Sequence, residues 1–379
     1  MHISAIALGI LLAAVILWDA FQTIVLSRQV APRLRPTRVF YRALWLPVRV
    51  VAQRLPSSRW RENVLTVFGP LSLLLLIAFW ASGLILAFAL AYWGIGKQMQ
   101  ELDGRWGFVI DLYASGTTFF TLGIGDVTPR TPLARIFTVL ESGLGFTFIA
   151  MVIGHVPLIS QAFSRREINI SMLDARAGSP PTAGRLLFRH FQNGGDDLRE
   201  LLRNWERWSA ELLESHLSFP LLSYFRSQHD DQSWVAALTA VLDTCALVMA
   251  RIDHESATAA RLTFAMARHA VVDLCGVLSL EPTEARADRL PAAEEKELEG
   301  LLAKAALRLR TDHASIAQLH ALRASYEPYV HALSSFLLMP LPDWVPPVRE
   351  SEFLVESEFW VAGRAPRHDR RLELVPNHD

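Results

Sequence analysis

This sequence has few cysteines and almost no net charge. Its 379 residues include two cysteines, Cys245 and Cys275, and the formal net charge is −1. Two cysteines are too few for a disulfide framework, and we expect them to be buried free thiols. The balanced charge gives no indication of nucleic-acid binding, so we expect no nucleic-acid partner.

Sequence patterns that mark several enzyme and regulatory classes are also missing. The histidines lack His-x-x-x-His spacing and the cysteines lack Cys-x-x-Cys spacing, so no zinc site is indicated. No Gly-x-Gly-x-x-Gly follows a predicted strand, which argues against a dinucleotide-binding domain. No strand-rich segment suggests a cyclic-nucleotide barrel, and no nucleophile and base occur in a recognisable arrangement. We therefore predict a protein that is not an enzyme and has no cofactor.

Apolar residues, by contrast, make up 51% of the chain, and nearly all of the excess lies before about residue 165. Three long apolar runs cover roughly residues 3–26, 64–93 and 133–163. Each is long enough to cross a bilayer as a helix, which takes about 20 residues. The first run has no basic start and no small-residue cleavage site, so we predict a retained helix rather than a signal peptide.

Arginine-rich loops predict how these helices are oriented. Residues 27–63 contain nine arginines and one acidic residue, and four more arginines follow between 165 and 185. An excess of basic residues marks the cytoplasmic side of a membrane. We therefore expect a multi-pass protein of the cell inner (plasma) membrane, with the N-terminus outside, residues 94–132 outside and everything after 165 cytoplasmic.

The first arginine-rich loop also has a helical pattern. Arg35, Arg38, Arg42 and Arg49 share one face of a helical wheel, and apolar residues share the other. This pattern predicts an amphipathic helix on the inner membrane surface, interrupted near Pro47. Asp19, near the inner end of the first apolar run, is expected to pair with an arginine of this loop.

The stretch TTFFTLGIGDVTP occupies residues 117–129. Residues 109–120 predict a helix of about three turns, which is too short to cross the membrane. Irregular backbone at membrane depth is tolerated only where it is buried in protein or lines water. A re-entrant helix followed by an extended Gly-x-Gly strand meets that condition if the strand lines a pore. Glycine reaches unusual backbone angles without a Cβ penalty, so alternate glycines let successive carbonyls surround a dehydrated cation.

The hexapeptide TLGIGD, residues 121–126, resembles the selectivity filter of the potassium channel family, usually written Thr-Val-Gly-Tyr-Gly-Asp. The order of outer helix, pore helix, filter and inner helix over about residues 64–165 is similar to the two-helix pore modules of bacterial potassium channels. The resemblance implies that K⁺ is the permeant ion and binds the carbonyls of four residues. The implied filter consists of Thr121, Leu122, Gly123, Ile124 and Gly125, with K⁺ on the first four and Asp126 at the outer mouth.

One filter per chain supplies one side of a four-sided cage, so we expect a homotetramer in a lipid bilayer. Ile124 departs from the family pattern, which places an aromatic residue there. An isoleucine has no hydroxyl to hydrogen-bond behind the filter, and the predicted pore helix has no tryptophan. Tyr113, Phe119 and Phe120 could pack around Ile124 instead.

Four residues of the third apolar run are candidates for a role in gating. Gly145 lies 24 residues after Thr121, where the family often has a hinge glycine. Pro157 removes a backbone hydrogen bond and is expected to interrupt and bend the helix. His155 either senses pH or simply packs. Glu141 either hydrogen-bonds the back of the pore helix or filter and tunes gating, or makes a structural bond to a neighbouring helix.

The remaining chain predicts an all-α cytoplasmic domain. The domains are an N-terminal transmembrane and interfacial part (1–63), a pore domain (64–165), a linker (166–184), a helical cytoplasmic domain (185–340) with an unknown ligand, and a tail (341–379). The tail includes a strand-like or docking segment at 352–363. The fold class is an all-α membrane protein with three transmembrane helices, a re-entrant pore helix and a filter.

Two functions stay open. The first is a tetrameric cation channel selective for potassium, whose gating or assembly depends on the helical domain. The second is a membrane-anchored signalling or scaffold protein with a weakly selective or non-conducting pore module. The intact TLGIGD run favours the first.

Overall fold

A computed structural model describes most of the chain. The described residues are 2–24, 36–55, 57–96, 99–101, 105–192, 198–228, 232–284 and 287–346. Arg35 and the strand-like segment 352–363 lie outside them. The protein is all-α, with three helices that are long and apolar enough to cross a membrane, so the predicted fold class and the three crossings are confirmed.

Within its described residues, the membrane part contains five helices and one pair of short strands. In chain order these are α1 (Ile3–Ile24), α2 (Pro36–Arg54), α3 (Ser58–Ile95), β1 (Met99–Glu101), α4 (Phe108–Phe119), β2 (Val127–Pro129) and α5 (Pro132–Ala177). The crossing helices are α1, α3 and α5. The 46 residues of α5 span about 69 Å, more than twice the roughly 30 Å of a hydrocarbon core, so α5 continues well beyond the membrane.

Helix α1 packs closely along α3 because small residues occupy the contact. A Cβ at Gly9 would lie 2.5 Å from the carbonyl oxygen of Ala87, and one at Gly83 would lie 2.2 Å from Ile16 Cδ1. Small residues of this kind let helix backbones approach each other within a bilayer. Asp19 of α1 accepts hydrogen bonds from Thr37 and from Trp80 Nε1, the latter at 2.9 Å. Arg28, Arg33 and Arg35, the loop arginines nearest to it in sequence, lie outside the described residues, so the expected pairing with an arginine stays a prediction.

Helix α2 differs from its prediction in two ways. It runs unbroken through Pro47, and it is covered by protein rather than lying only on a membrane surface. Trp45 is buried and donates a hydrogen bond from Nε1 to the carbonyl of Phe336 at 3.2 Å. Tyr41 stacks on Tyr224 with 5.5 Å between ring centroids. These two aromatic residues are one turn apart, so they form a second apolar stripe that packs against the helical domain.

The rest of the described chain is a helical domain. It consists of α6 (Ala183–Gln192), α7 (Leu198–Ser218), a 3₁₀ helix (Pro220–Tyr224), α8 (Trp234–Ala250), α9 (Ala257–Leu278), α10 (Ala292–Ala303), α11 (His313–Ala324) and α12 (Glu327–Leu337). Helix α8 is its central element, because nearly all of its residues are buried. Cys245 and Cys275 are buried and free, as expected, and burial raises the pKa of the Cys275 thiol to about 12.

A buried ion pair ties the C-terminal part of this domain to α8. Arg289 contacts Asp243 with 2.7 Å between Nη2 and Oδ2, and it also donates to the carbonyl of Pro342 at 2.8 Å. The Asp243 side chain is fully buried and the Arg289 side chain is nearly so. Each charge therefore depends on the other for its stability in a low-dielectric interior.

The predicted linker at 166–184 is largely a helix packed into the domain. Helix α5 continues to Ala177 and ends at Gly178, whose φ is 85°. Arg166 is buried and donates to the carbonyls of Leu222 and Phe225, both at 2.9 Å. The Gly-Ser-Pro-Pro composition that suggested a linker marks only the short turn before α6.

Candidate functional site

The candidate site begins where α4 ends. Beyond Phe119 the Thr121 amide donates to the Thr118 carbonyl at 3.0 Å, and the Leu122 amide donates to the Thr117 carbonyl at 2.8 Å. These two bonds close the last turn of α4, because the final carbonyls of a helix otherwise have no partner. The chain therefore leaves the helix at a fixed point, immediately before the Gly-x-Gly segment.

The backbone after α4 alternates in conformation. Thr121, Gly123 and Gly125 have φ values of 56°, 57° and 83°, all in the left-handed region. Residues with a Cβ rarely adopt these angles, so glycine at two of the three positions meets a backbone requirement. A Cβ at Gly123 or Gly125 would meet nothing within 4 Å in the chain. The backbone angle, and not crowding within one chain, explains these glycines.

Both ends of this segment are anchored, while the segment itself is exposed. Beyond Asp126, β2 pairs antiparallel with β1, with Met99 opposite Pro129. Met99 is buried, and the Val127 amide donates to Asp126 Oδ1 at 3.0 Å. Residues 120–126 are exposed in the single chain. The fold thus presents residues 121–125 on a free surface between two fixed points.

Ile124 lies in this exposed segment and is 61% exposed in the single chain. Phe119 is fully buried and packs on Phe148 of α5, with 5.6 Å between ring centroids. Tyr113 of α4 and Phe120 are themselves exposed, at 41% and 47%.

Glu141 connects all three helices around the site. It is fully buried in α5 and accepts hydrogen bonds from Tyr92 Oη of α3, at 2.8 Å, and from Ser115 Oγ of α4. Ser115 Oγ is also 2.9 Å from the carbonyl of Ile85 in α3. Glu141 therefore has a hydrogen-bond partner of each kind considered from the sequence, because it contacts both the short helix α4 and the neighbouring helix α3.

Gly145 of α5 lies directly against the C-terminal end of α4. A Cβ on it would lie 1.9 Å from the carbonyl oxygen of Phe119, the last residue of α4. No side chain fits there without movement of the backbone. Gly145, the expected hinge glycine, therefore also makes a close contact between helices. Phe119, on the other side of this contact, leads directly into residues 121–125.

His155 and Pro157 lie further along α5. Helix α5 is not interrupted at Pro157, contrary to the expectation, but continues through it. His155 is half-buried and packs edge-on against Phe219 of the helical domain, with 5.2 Å between ring centroids. The structure thus brings His155 to the contact with the helical domain and keeps it away from residues 121–125.

Apolar surface remains exposed along α5. Val139 is 71% exposed, and Phe146 and Ile153 are each 68% exposed. Lipid or a second copy of the chain would bury such a surface, because exposed apolar area in water is unfavourable. Among the described residues, no group of three or more His, Cys, Asp or Glu side chains could hold a metal ion.

Comparisons with known proteins agree with this geometry. A family model described as "Ion channel" matches residues 73–157, from α3 through α4 and the exposed segment to α5. The uncharacterized membrane protein YdjJ of Bacillus subtilis is 29% identical over 189 residues, which cover 48% of this chain and 53% of that protein. The chain therefore spans about half the length of this curated relative. No solved structure matches. The family match supports an ion channel, and the relative supports a membrane protein.

Proposed function

We propose that the chain forms a homotetrameric, potassium-selective channel that conducts dehydrated K⁺ through the backbone carbonyls of Thr121, Leu122, Gly123, Ile124 and Gly125. The alternating left-handed φ values at positions 121, 123 and 125 carry this proposal. A ladder of carbonyls facing one axis requires such alternation, and the ion-channel match covers this segment. Asp126 lies at the outer mouth.

Tetramer formation accounts for the exposure of the filter. In one chain, Leu122 is 63% and Ile124 is 61% exposed, which is unfavourable for apolar residues of a membrane protein outside lipid. Four copies arranged about an axis would cover these side chains and supply the other three sides of the carbonyl cage. The C-terminal end of α4 would point at the central cavity, where the helix dipole favours a cation.

The helical domain is proposed to influence opening or assembly from the cytoplasmic side of the inner (plasma) membrane, with the N-terminus outside. Two contacts support this role: Arg166 at the far end of α5 bonds the carbonyls of Leu222 and Phe225, and Trp45 of α2 bonds Phe336. Because α5 carries both Gly145 and Arg166 on one helix, a movement of the domain reaches the proposed pore.

Paired glycine variants test the carbonyl cage. Gly125 in the filter and Gly96 at the end of α3 have φ values of 83° and 86°, and neither has an atom near its missing Cβ. Alanine at either position costs about 1–2 kcal/mol per chain in backbone strain. We expect Gly125→Ala to abolish K⁺ flux into liposomes and Gly96→Ala to preserve it.

Mass measurement in detergent or nanodiscs accompanies the flux assay. Wild type and both variants should have four times the chain mass of 42.5 kDa. Undiminished K⁺ flux in Gly125→Ala would place the ion path elsewhere. A monomer or dimer as the only species would contradict the fourfold cage.

A further inference from the structure

A cavity of about 100 Å³ lies where the membrane helices meet the helical domain. Its walls come from α1, α2, α3 and α5 on one side and from α7, the 3₁₀ helix, α9 and α12 on the other. The membrane helices contribute Thr23 and His155, and the domain contributes Ser218 and Phe219. The cavity therefore belongs to neither part alone.

The polar side of the cavity is basic. Arg38 and Arg42, one turn apart on α2, both line it, and none of its described lining residues is acidic. The nearby carboxylate of Asp19 already accepts hydrogen bonds from Thr37 and Trp80. Within the described part of the chain, neither guanidinium has a carboxylate partner. Two unpaired guanidinium groups beside hydroxyl donors favour an anion, and their fork geometry matches phosphate oxygens.

The cavity also has an apolar lining. It is lined by Leu76 of α3, by Leu221 of the 3₁₀ helix, and by Leu278 and Phe336 of the domain. A free inorganic anion makes no favourable contact with these apolar side chains, whereas a hydrocarbon chain would cover them favourably. The basic segment 27–63 places this region at the proposed cytoplasmic surface of the membrane, where anionic phospholipids are available.

We propose that this cavity binds the phosphate group of an anionic phospholipid, with Arg38 and Arg42 holding the phosphate and the leucine and phenylalanine wall covering part of an acyl chain. The ligand would touch His155 of α5 and Phe219 of the domain together. Occupancy would therefore stabilise the contact between the inner helix and the domain. That regulatory consequence rests on the proposed channel function, but the binding itself does not.

Binding is tested with the full chain in nanodiscs. One set contains phosphatidylcholine only, a second contains phosphatidylcholine with phosphatidylglycerol, and a third contains phosphatidylcholine with inorganic phosphate in the buffer. Thermal unfolding midpoints and lipid retained in native mass spectra are the readouts, so no measurement depends on conduction. A failure of the channel proposal and a failure of this site are thereby distinguishable.

The variant Arg38→Gln/Arg42→Gln is compared with the control Arg54→Gln/Arg59→Gln. The control removes the same charge from exposed arginines of α2 and α3 that do not line the cavity. Each charged hydrogen bond lost should weaken binding about tenfold. We expect phosphatidylglycerol to raise the thermal unfolding midpoint of wild type and control. We expect the phosphatidylglycerol retained in native mass spectra to fall at least tenfold in the cavity variant.

Every outcome decides the proposal. If inorganic phosphate, and not phosphatidylglycerol, raised the midpoint of wild type and control but not that of the cavity variant, the cavity would bind phosphate and the lipid source of that phosphate would be overturned. Equal responses of cavity variant and control, or no response of wild type to either ligand, would overturn the site. Should the double variant not fold, Arg42→Gln alone decides, since Arg42 is exposed and its replacement leaves the packing unchanged.

Discussion

Replacing Gly145 by alanine tests the contact that positions the proposed filter. The added Cβ would lie 1.9 Å from the carbonyl oxygen of Phe119, 2.8 Å from its carbonyl carbon and 3.0 Å from its Cα. Carbon–oxygen contacts are normally no shorter than about 3.3 Å. The two backbones must therefore separate by about 1.4 Å, and because the obstacle is main chain, no side-chain rotation can relieve it.

This displacement acts on stability and on conduction together. Overpacking of this kind costs about 1–3 kcal/mol per chain, and a tetramer would contain four copies of it. Phe119 is two residues before Thr121, so movement of its carbonyl shifts the start of the proposed filter. We expect Gly145→Ala to lower the thermal unfolding midpoint and to reduce K⁺ flux strongly.

Gly143 on the same helix is the matched control, because a Cβ there meets nothing within 4 Å in the chain. Gly143→Ala should unfold at the same temperature as wild type or higher, since alanine is favoured over glycine in helices by about 0.5–1 kcal/mol. Tryptophan fluorescence in detergent and flux into liposomes measure both effects. Equal unfolding of the two variants would refute the close contact. Unchanged unfolding of Gly145→Ala with altered opening alone would favour a hinge.

Three further predictions concern buried polar groups. Burial and the neighbouring Arg166 lower the pKa of His216 to about 3 in the folded chain, compared with about 6.5 in the unfolded chain. Below pH 6.5 the unfolded chain therefore binds a proton that the folded chain does not, and wild type should lose up to about 1.4 kcal/mol of stability per pH unit. The variant His216→Gln should show a shallower loss of stability with falling pH. Glu141→Ala removes the acceptor of the Tyr92 hydroxyl at 2.8 Å, whereas Ser115 keeps the carbonyl of Ile85, so the variant should cost about 1–3 kcal/mol in total, measured by thermal unfolding. Arg289→Met breaks a buried ion pair and should cost about 3–5 kcal/mol, whereas Arg199→Met at an exposed pair should cost at most about 1 kcal/mol; equal effects would contradict the buried-pair argument.

The features that sequence analysis predicted are those set by local composition. Three apolar runs were sufficient to predict α1, α3 and α5, and the 12-residue apolar segment before TLGIGD predicted α4 to within one residue at each end. The glycines at 123 and 125 predicted left-handed backbone, which the structure has at both positions. Each of these properties depends on residues within a few positions of one another.

The features that could not be predicted from the sequence depend mostly on partners far along the chain. Trp45 bonds a carbonyl 291 residues away, and no pattern around Trp45 indicates that partner. Glu141 was recognised as unusual, but its partners Tyr92 and Ser115 lie 49 and 26 residues before it. The left-handed φ at Thr121 was also missed, because threonine, unlike glycine, gives no composition signal for that conformation.

The linker is where the difference between sequence and structure matters most for the proposed mechanism. A flexible segment at 166–184 would let the helical domain move without affecting the pore. A continuous α5 does not allow this, because a helix transmits rotation and translation along its length. Arg166 fixes the far end of that helix to two domain carbonyls, and Gly145 fixes its near end against Phe119. Any rearrangement of the domain around Arg166 must therefore bend α5, most readily near Pro157 where a backbone hydrogen bond is absent, or move the contact at Phe119 that leads into the filter.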